Sequence, residues 1–366
     1  MPAETISAPR AAPRSAPRPG LDPAPRRILV KEVNWLGDLV ISLPALRAIR
    51  HAWPHAHLAV LVKRELASFF DGDASIDEVI PYSVARGIGG VGDRWRIVAG
   101  LRSRRFDLAI LFPNSFESAL WATMAGVPRR AGFATDARGA LLTLKGTPRH
   151  GAISGHQEHY WLAMVDATLG VAGDADDFAI APHQPSLDAV RAWLGARRRS
   201  PDAPLVAVAP AAAYGPAKEW PPEHYARLID LMAERHGAES MLVGAAAERA
   251  KCERVAALSS AGAIVAAGET SIGELIAMLA IAGRFIGNDS GAMHLAGALG
   301  IPTAAIFGST DPNRTGPMGS RTRVLWRHLE CSPCLARTCR FGHYNCLREI
   351  GPEEAAGALA ALGAFA

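Results

Sequence analysis

The chain has 366 residues, of which 49% are apolar, and a formal net charge of +4. That length exceeds what one hydrophobic core usually holds, so two domains are expected. The near balance of charge argues against a nucleic-acid-binding body, and no apolar run approaches the ~20 residues of a membrane span.

Residues 1–25 are dominated by Ala, Pro and Arg and lack the apolar centre of a signal peptide. They cannot build a packed core, so a disordered tail is expected. Arg10, Arg14, Arg18, Arg26 and Arg27 are suited to weak attraction by anionic lipid heads.

"RRILVKEV" (Arg26–Val33) reads as a first strand and "NWLGD" (Asn34–Asp38) as a loop. In "LVISLPALRAIR", Leu39, Leu43 and Leu46 share one helical face, and Pro44 should kink or restart that helix. Further strands are expected in His57–Leu66, Ile76–Tyr82 and Phe106–Asn114, the last followed by a helix in "SFESALWATMAG". Such alternation signals a parallel sheet covered on both faces. A first domain over 26–185 would end in a linker at 186–204, which holds one amphipathic helix and a basic turn.

The alternation then restarts. Pro204–Ala212 is a strand, and Pro221–Gly237 is a helix with Pro at its start and Gly at its end. Ser240–Glu248 is a strand with its exit loop. "GAIVAAG", "RFIGNDS" and "PTAAIFGS" read as strands; "SIGELIAMLAIAG" and "GAMHLAGALG" read as helices. This second domain would span 205–350. A last helix in 351–366 could pack back across the gap between the domains.

In open parallel sheets, ligands bind beyond the carboxyl ends of the strands. Four candidate segments fall at such ends. In the first, Asp38 either caps a helix or faces the cleft as a proton acceptor, with Gly37 easing the turn. In the second, Lys218 precedes a helix, a placement suited to phosphate or to an ordinary surface lysine, while Trp220 reads as packing. In the third, Glu248 either accepts from ribose hydroxyls or caps a helix. In the fourth, "NDSGAMH", Ser290 would cap a helix whose first turn offers unpaired N–H groups. Gly291 would admit a ligand close to the backbone, and His294 would lean over it. Ala292, Leu295, Ala296 and Leu299 would face the core, and Ser309 and Thr310 would add hydroxyls from the next strand end. Neither a dinucleotide fingerprint nor a P-loop is present.

Three stretches, "WLGDLVISLPALRAIR", "AKEWPPEHYARLIDLM" and "GNDSGAMHLAGALGIPTAAIFGSTDP", resemble the ADP-heptose:lipopolysaccharide heptosyltransferases of glycosyltransferase family 9, most of all their type II branch. The resemblance implies a GT-B fold, two Rossmann-like α/β domains facing each other across a cleft. It implies inverting transfer from ADP-L-glycero-β-D-manno-heptose to a Kdo–lipid A inner-core acceptor, at the cytoplasmic face of the inner membrane. On that pattern Asp38 is the general base and Lys218 neutralises the departing diphosphate. Glu248 contacts the nucleoside, and Asp289, Ser290, Gly291 and His294 lie at the diphosphate and sugar. Asn34, Trp35 and Gly37 form an acceptor-side loop. Catalysis would need no cofactor.

Cys331, Cys334, Cys339 and Cys346 form a C-x2-C-x4-C-x6-C segment. Four thiols so close together in a chain without an export signal fit a structural zinc or iron site, or a set of reduced thiols without metal. Their distance in sequence from the other motifs points to a structural or acceptor-side role. Some family members that glycosylate autotransporter proteins carry a four-cysteine iron site, so a protein acceptor is an alternative, as is a non-catalytic nucleotide-sugar-binding protein. Cys252 reads as packing.

Overall fold

The structure, a computed structural model, describes residues 21–148 and 155–365. Most of the expected tail therefore lies outside the described residues. Its last part does not behave as a tail: Leu21 is buried in the core, and Arg129 donates to the Pro23 carbonyl at 2.7 Å. A single leucine among prolines has no periodicity by which to announce its burial.

The first domain holds β1 (Arg27–Lys31), β2 (His57–Lys63), β3 (Glu78–Tyr82), β4 (Leu108–Leu111), β5 (Arg129–Phe133) and β6 (Leu144–Gly146). These form one parallel sheet in the order β3-β2-β1-β4-β5-β6. Its helices are α1 (Leu36–Ile41), α2 (Leu43–Ala52), α3 (Gly90–Ser103), α4 (Phe116–Met124) and α5 (Glu158–Leu169). Pro44 does restart the helix: α1 ends at Ser42, and the proline sits in the first turn of α2, where no N–H is needed. Sequence reading missed β5, because "RRAGF" puts two arginines into a strand. Their guanidinium groups turn back to the carbonyls of Asp107 and Leu141, so the charges never enter the core.

The second domain repeats the plan with β7 (Leu205–Ala209), β8 (Glu239–Leu242), β9 (Ile264–Val265), β10 (Phe285–Asn288), β11 (Thr303–Phe307) and β12 (Thr322–Trp326). The order is β12-β11-β10-β7-β8-β9, again all parallel. Numbered within its own domain, each sheet reads 3-2-1-4-5-6, the doubly wound dinucleotide-fold order. Strand β12 also escaped prediction: it is an edge strand whose residues are mostly half-exposed.

The helices here are α6 (Gln184–Gly195), α7 (Pro222–His236), α8 (Arg249–Leu258), α9 (Ile272–Ala282), α10 (Gly291–Ala298) and α11 (Pro352–Ala360). Helix α6, inside the stretch expected as a linker, packs on α9, and Arg198 just beyond it pairs with the buried Glu239. The last helix does not cross the gap. Ala355, Ala356 and Leu359 of α11 are buried against α7, within the second domain's own core, because that apolar stripe finds its partner there.

The domains meet chiefly where α1 lies against α10. A Cβ at Gly37 would stand 2.8 Å from the His294 ring, and one at Gly291 would stand 2.8 Å from the Leu36 Cβ. Two glycines thus let the helices touch almost backbone to backbone. Helix α10 was expected to show one apolar stripe. Instead Met293 through Ala298 are all buried, because the face opposite its own sheet is covered by α1.

Replacing Gly291 by Ala separates the alternatives. In an exposed helix that change stabilises, by roughly 0.5–1 kcal/mol. Here it should destabilise by about 1–3 kcal/mol, since Leu36 Cβ is held by its backbone and cannot swing away. Chemical denaturation reads the sign directly.

Candidate active site

The doubly wound order reverses between β1 and β4 in one sheet and between β7 and β10 in the other. Chain leaving β1, β7 and β10 therefore opens onto crevices at the carboxyl ends. Asp38 follows β1, Lys218 follows β7, and Asp289 and Ser290 follow β10. The α1–α10 contact brings these exits face to face.

Lys218 Nζ donates to Asp289 Oδ2 at 2.5 Å, and the Thr310 hydroxyl donates to the same oxygen at 2.6 Å. Both side chains of the ion pair are largely buried. Lys218 Nζ also lies 4.9 Å from the centroid of the Tyr214 ring. Behind them, the Asn288 side chain ties the two strand exits together. It accepts from Trp220 N at 3.0 Å and the Tyr225 hydroxyl at 2.8 Å, and donates to the Pro210 carbonyl at 2.8 Å.

Asp38 stands in the first turn of α1, where Trp35 occupies the cap position, so it does not serve as the cap. Burial pushes its carboxyl up to about 6; nearby Lys218 pulls it down and Asp289 pushes it up. Asp38 is carried on α1, which packs on α10 through the Gly37–His294 and Gly291–Leu36 approaches, so the domain contact turns it toward the strand exit that holds Asp289. A carboxylate so poised can accept a proton near neutral pH.

Ser290 occupies the cap position of α10, yet its hydroxyl makes no capping bond. Ser290 Oγ, Ser309 Oγ and His294 Nδ1 are buried without a hydrogen-bond partner. Buried polar atoms are normally paired. Two orphans at the start of α10 and one at the exit of β11, on a loop bonded to the lysine loop, fit an anionic ligand of several oxygens. His294 is held neutral, its imidazole lowered to about 4 by burial despite the attraction of Asp289. It can hydrogen-bond to such a ligand without adding charge.

Asp38, Lys218, Asp289, Ser290, Gly291, His294, Ser309 and Thr310 therefore converge. Three expected residues differ in role: the space over Gly291 is taken by Leu36 rather than left for a ligand, and Gly37 and Glu248 also depart. Gly37 makes no turn; it is helical, and its missing side chain admits His294. Glu248 spends Oε2 on the backbone N–H of Ala245 at 2.8 Å, the capping alternative, beyond β8 and away from β10.

Asn34 and Trp35 line a cleft of about 350 Å³ together with Asp38, Asn114, Gln157, Tyr160 and Arg314. The last four were not anticipated. Asn114 had a readable signal, since it leaves β4, the neighbour of β1 at the switch point; Arg314 arrives from the other domain and had none. A larger cleft of about 730 Å³, lined by Trp220, Lys251 and Arg254 among others, contains none of the converging residues.

The four cysteines are free thiols. Among the described residues no group of three or more Cys, His, Asp or Glu is arranged to hold a metal ion, although burial raises the Cys346 thiol pKa and Cys331, Cys334 and Cys339 all lie near enough to raise it further. Their segment packs on the loops that follow β7 and β11. Leu335 N donates to the Ser309 carbonyl at 2.8 Å, Ala217 N to the Arg337 carbonyl at 3.0 Å, and the Tyr214 hydroxyl to the Leu335 carbonyl at 2.6 Å. The segment braces the loops that carry Lys218 and Ser309. This bracing is the structural role expected of the segment, and it lies near the other motifs despite its distance along the chain because parallel strands deliver their exit loops to one edge. Cys252 is fully buried packing, as expected.

Comparison with known proteins bears on this geometry. A model of the family described as glycosyltransferase family 9 (heptosyltransferase) matches residues 94–345. Lipopolysaccharide heptosyltransferase 2 of Escherichia coli (strain K12) is 30% identical over 313 residues, 82% of this chain and 87% of that protein. Lipooligosaccharide heptosyltransferase 2 of Haemophilus ducreyi is 27% identical over 339 residues, 89% of this chain and 96% of that protein. The solved structure of E. coli ADP-heptose LPS heptosyltransferase II superposes with a TM-score of 0.78 at 26% identity, covering 92% of this chain and 98% of that one.

Burial of a neutral His294 has a measurable consequence. Between its unfolded value of 6.5 and its folded value of about 4, only the unfolded chain binds this proton. Stability should fall as pH drops through that window. A His294→Gln variant should show a shallower fall in urea denaturation, and the imidazole of the folded wild type should stay neutral at pH 5.5 by nitrogen-15 NMR.

Proposed function

Because the chain belongs to glycosyltransferase family 9, the heptosyltransferases, we propose that it moves a heptose from ADP-heptose onto the inner core of lipopolysaccharide, with Asp38 as general base and Lys218 at the leaving diphosphate. The observation that supports the site assignment is the close α1–α10 contact across the domain interface, which brings the helix carrying Asp38 against the helix that follows Asp289, the partner of Lys218.

In this reading the acceptor sugar lies in the Asn34–Asp38 cleft and the ADP-sugar against the start of α10. The acceptor oxygen attacks the anomeric carbon from the face opposite ADP. A carbon–oxygen bond forms there as the bond to the diphosphate breaks, inverting the centre. The hydroxyl proton passes to Asp38, and the bonding electron pair leaves with ADP. Lys218, the Ser290 and Ser309 hydroxyls and the N–H groups of the first turn of α10 meet the charge on the departing diphosphate, where preorganised donors act most strongly. Asp289 holds Lys218 in place. Glu248 Oε1 is left to meet the nucleoside, the role the family pattern assigns to Glu248.

The acceptor of such an enzyme is a glycolipid, so the reading includes peripheral association with the cytoplasmic face of the inner membrane. Among the described residues no helix is long and apolar enough to cross a membrane.

The test is release of ADP from ADP-heptose with a heptosyl-Kdo2-lipid A acceptor. Asp38→Asn should lower turnover by at least about 100-fold, and unchanged turnover would remove Asp38 as the base. Because the base must be ionised, kcat/KM should rise with pH up to about 6 and level off above it. ADP-heptose binding without turnover in the wild type would point to a binding protein, and transfer only to a polypeptide would point to a protein acceptor. Zinc or iron at the four cysteines is read by metal analysis of anaerobically purified protein beside a Cys331→Ser, Cys334→Ser variant; stoichiometric metal in the wild type alone would assign it there.

A further inference from the structure

Arg138 is fully buried. A buried charge normally carries a counter-ion; Asp136 is near enough to favour the charge, yet the guanidinium's hydrogen bonds go to neutral groups. It donates to the carbonyls of Phe133 at 2.8 Å, Leu111 at 3.4 Å and Pro113, and to Asn114 Oδ1 at 2.9 Å. Space for it comes from Gly132, where a Cβ would approach Nη2 to 3.2 Å. An apolar side chain would fill this position at lower cost in desolvation, so the direction of the charge calls for explanation.

A guanidinium has donors only. The Asn114 atom that faces it must therefore be the oxygen, and the amide nitrogen is turned the other way. That nitrogen donates to the hydroxyl oxygen of Tyr160. Having accepted there, the Tyr160 hydroxyl keeps its own hydrogen for the cleft, which both Tyr160 and Asn114 line beside Asp38. A full charge at the head of such a chain polarises each bond after it. Ionised Asp38 has the opposite character and only accepts. The cleft thus has one donating wall and one accepting wall.

We propose that Arg138, Asn114 and Tyr160 form a hydrogen-bond relay of fixed polarity that grips lone pairs of the acceptor sugar's oxygens and so turns the attacking hydroxyl's proton toward Asp38. Tyr160 touches the substrate; Arg138 and Asn114 are positioning residues that set which way its hydrogen points. The proposal rests on the glycosyl-transfer reading above and adds the residues that orient the acceptor.

Asn114→Asp is the discriminating variant. The new carboxylate satisfies Arg138 as an ion pair, so a merely structural role predicts an unchanged or raised melting temperature and unchanged kinetics. The relay predicts otherwise: Tyr160 would now donate inward to the carboxylate and show the cleft only lone pairs. At saturating ADP-heptose, the KM for heptosyl-Kdo2-lipid A should rise at least about tenfold, with a much smaller change in kcat. Tyr160→Phe, which deletes the hydroxyl, should raise KM by about the same factor. Arg138→Lys, which keeps a charge and a donor, should lie closer to wild type than Arg138→Met; should the latter not fold, the first two variants still decide. Wild-type turnover with KM within about twofold of normal in both Asn114→Asp and Tyr160→Phe would overturn the relay alone. A wild type that releases no ADP with this acceptor would overturn the functional reading and the relay together.

Discussion

The site depends on one contact, the near backbone-to-backbone approach of α1 and α10 across the domain interface. Gly37 leaves room for the His294 ring, and Gly291 leaves room for Leu36. Without that approach, the Asp38 carboxylate and the Lys218–Asp289 pair would belong to two separate crevices, each at the switch point of its own sheet. The contact also explains why α10 is buried nearly all round and why His294 is a neutral ring. Close packing here is a condition of the electrostatics, because it is burial that moves Asp38 toward neutrality.

One cation and two carboxylates share this space. Lys218 serves both, hydrogen-bonded to Asp289 and close enough to Asp38 to lower its pKa. Asp289 raises that pKa in turn, so the base is tuned by a pair rather than by burial alone. An incoming diphosphate would add negative charge to the same region. The unpaired hydroxyls of Ser290 and Ser309 and the start of α10 then matter, since they offer donors without further titration. Tyr214 and the Leu335–Arg337 stretch hold the lysine loop from behind, which gives the cysteine segment a mechanical connection to Lys218 whatever its thiols bind.

The Asn34–Asp38 cleft is built differently. Its polar groups, Asn34, Asn114, Tyr160 and Gln157, lie on the first domain, while Arg314 reaches in from the second. Backbone bonds between Gln157 N and the Arg314 carbonyl at 3.0 Å, and between Ile180 N and the Ala298 carbonyl at 3.1 Å, fasten the domains around it. The cleft is therefore complete only when both domains are in place, as a reaction joining two substrates requires.

The residues alone carried the alternation of strands and helices, the proline restart at Pro44, the doubling of the domain and the positions of Asp38, Lys218 and the Asn288–Gly291 turn at strand ends. Periodicity and turn chemistry are local, and one chain segment suffices to express them. Local signals could not say whether Asp38 caps a helix or faces a lysine, nor that Gly37 serves a contact rather than a turn and Gly291 a contact rather than a ligand's approach. They could not place Arg314, Tyr160 or the cysteine segment, and they missed β5, with its two arginines, and the half-exposed edge strands β6 and β12. Those facts depend on which segments the two sheets bring edge to edge. Sheet order and domain packing are settled by contacts far apart in sequence, so burial, charge pairing and the polarity of the cleft exist only in the folded protein.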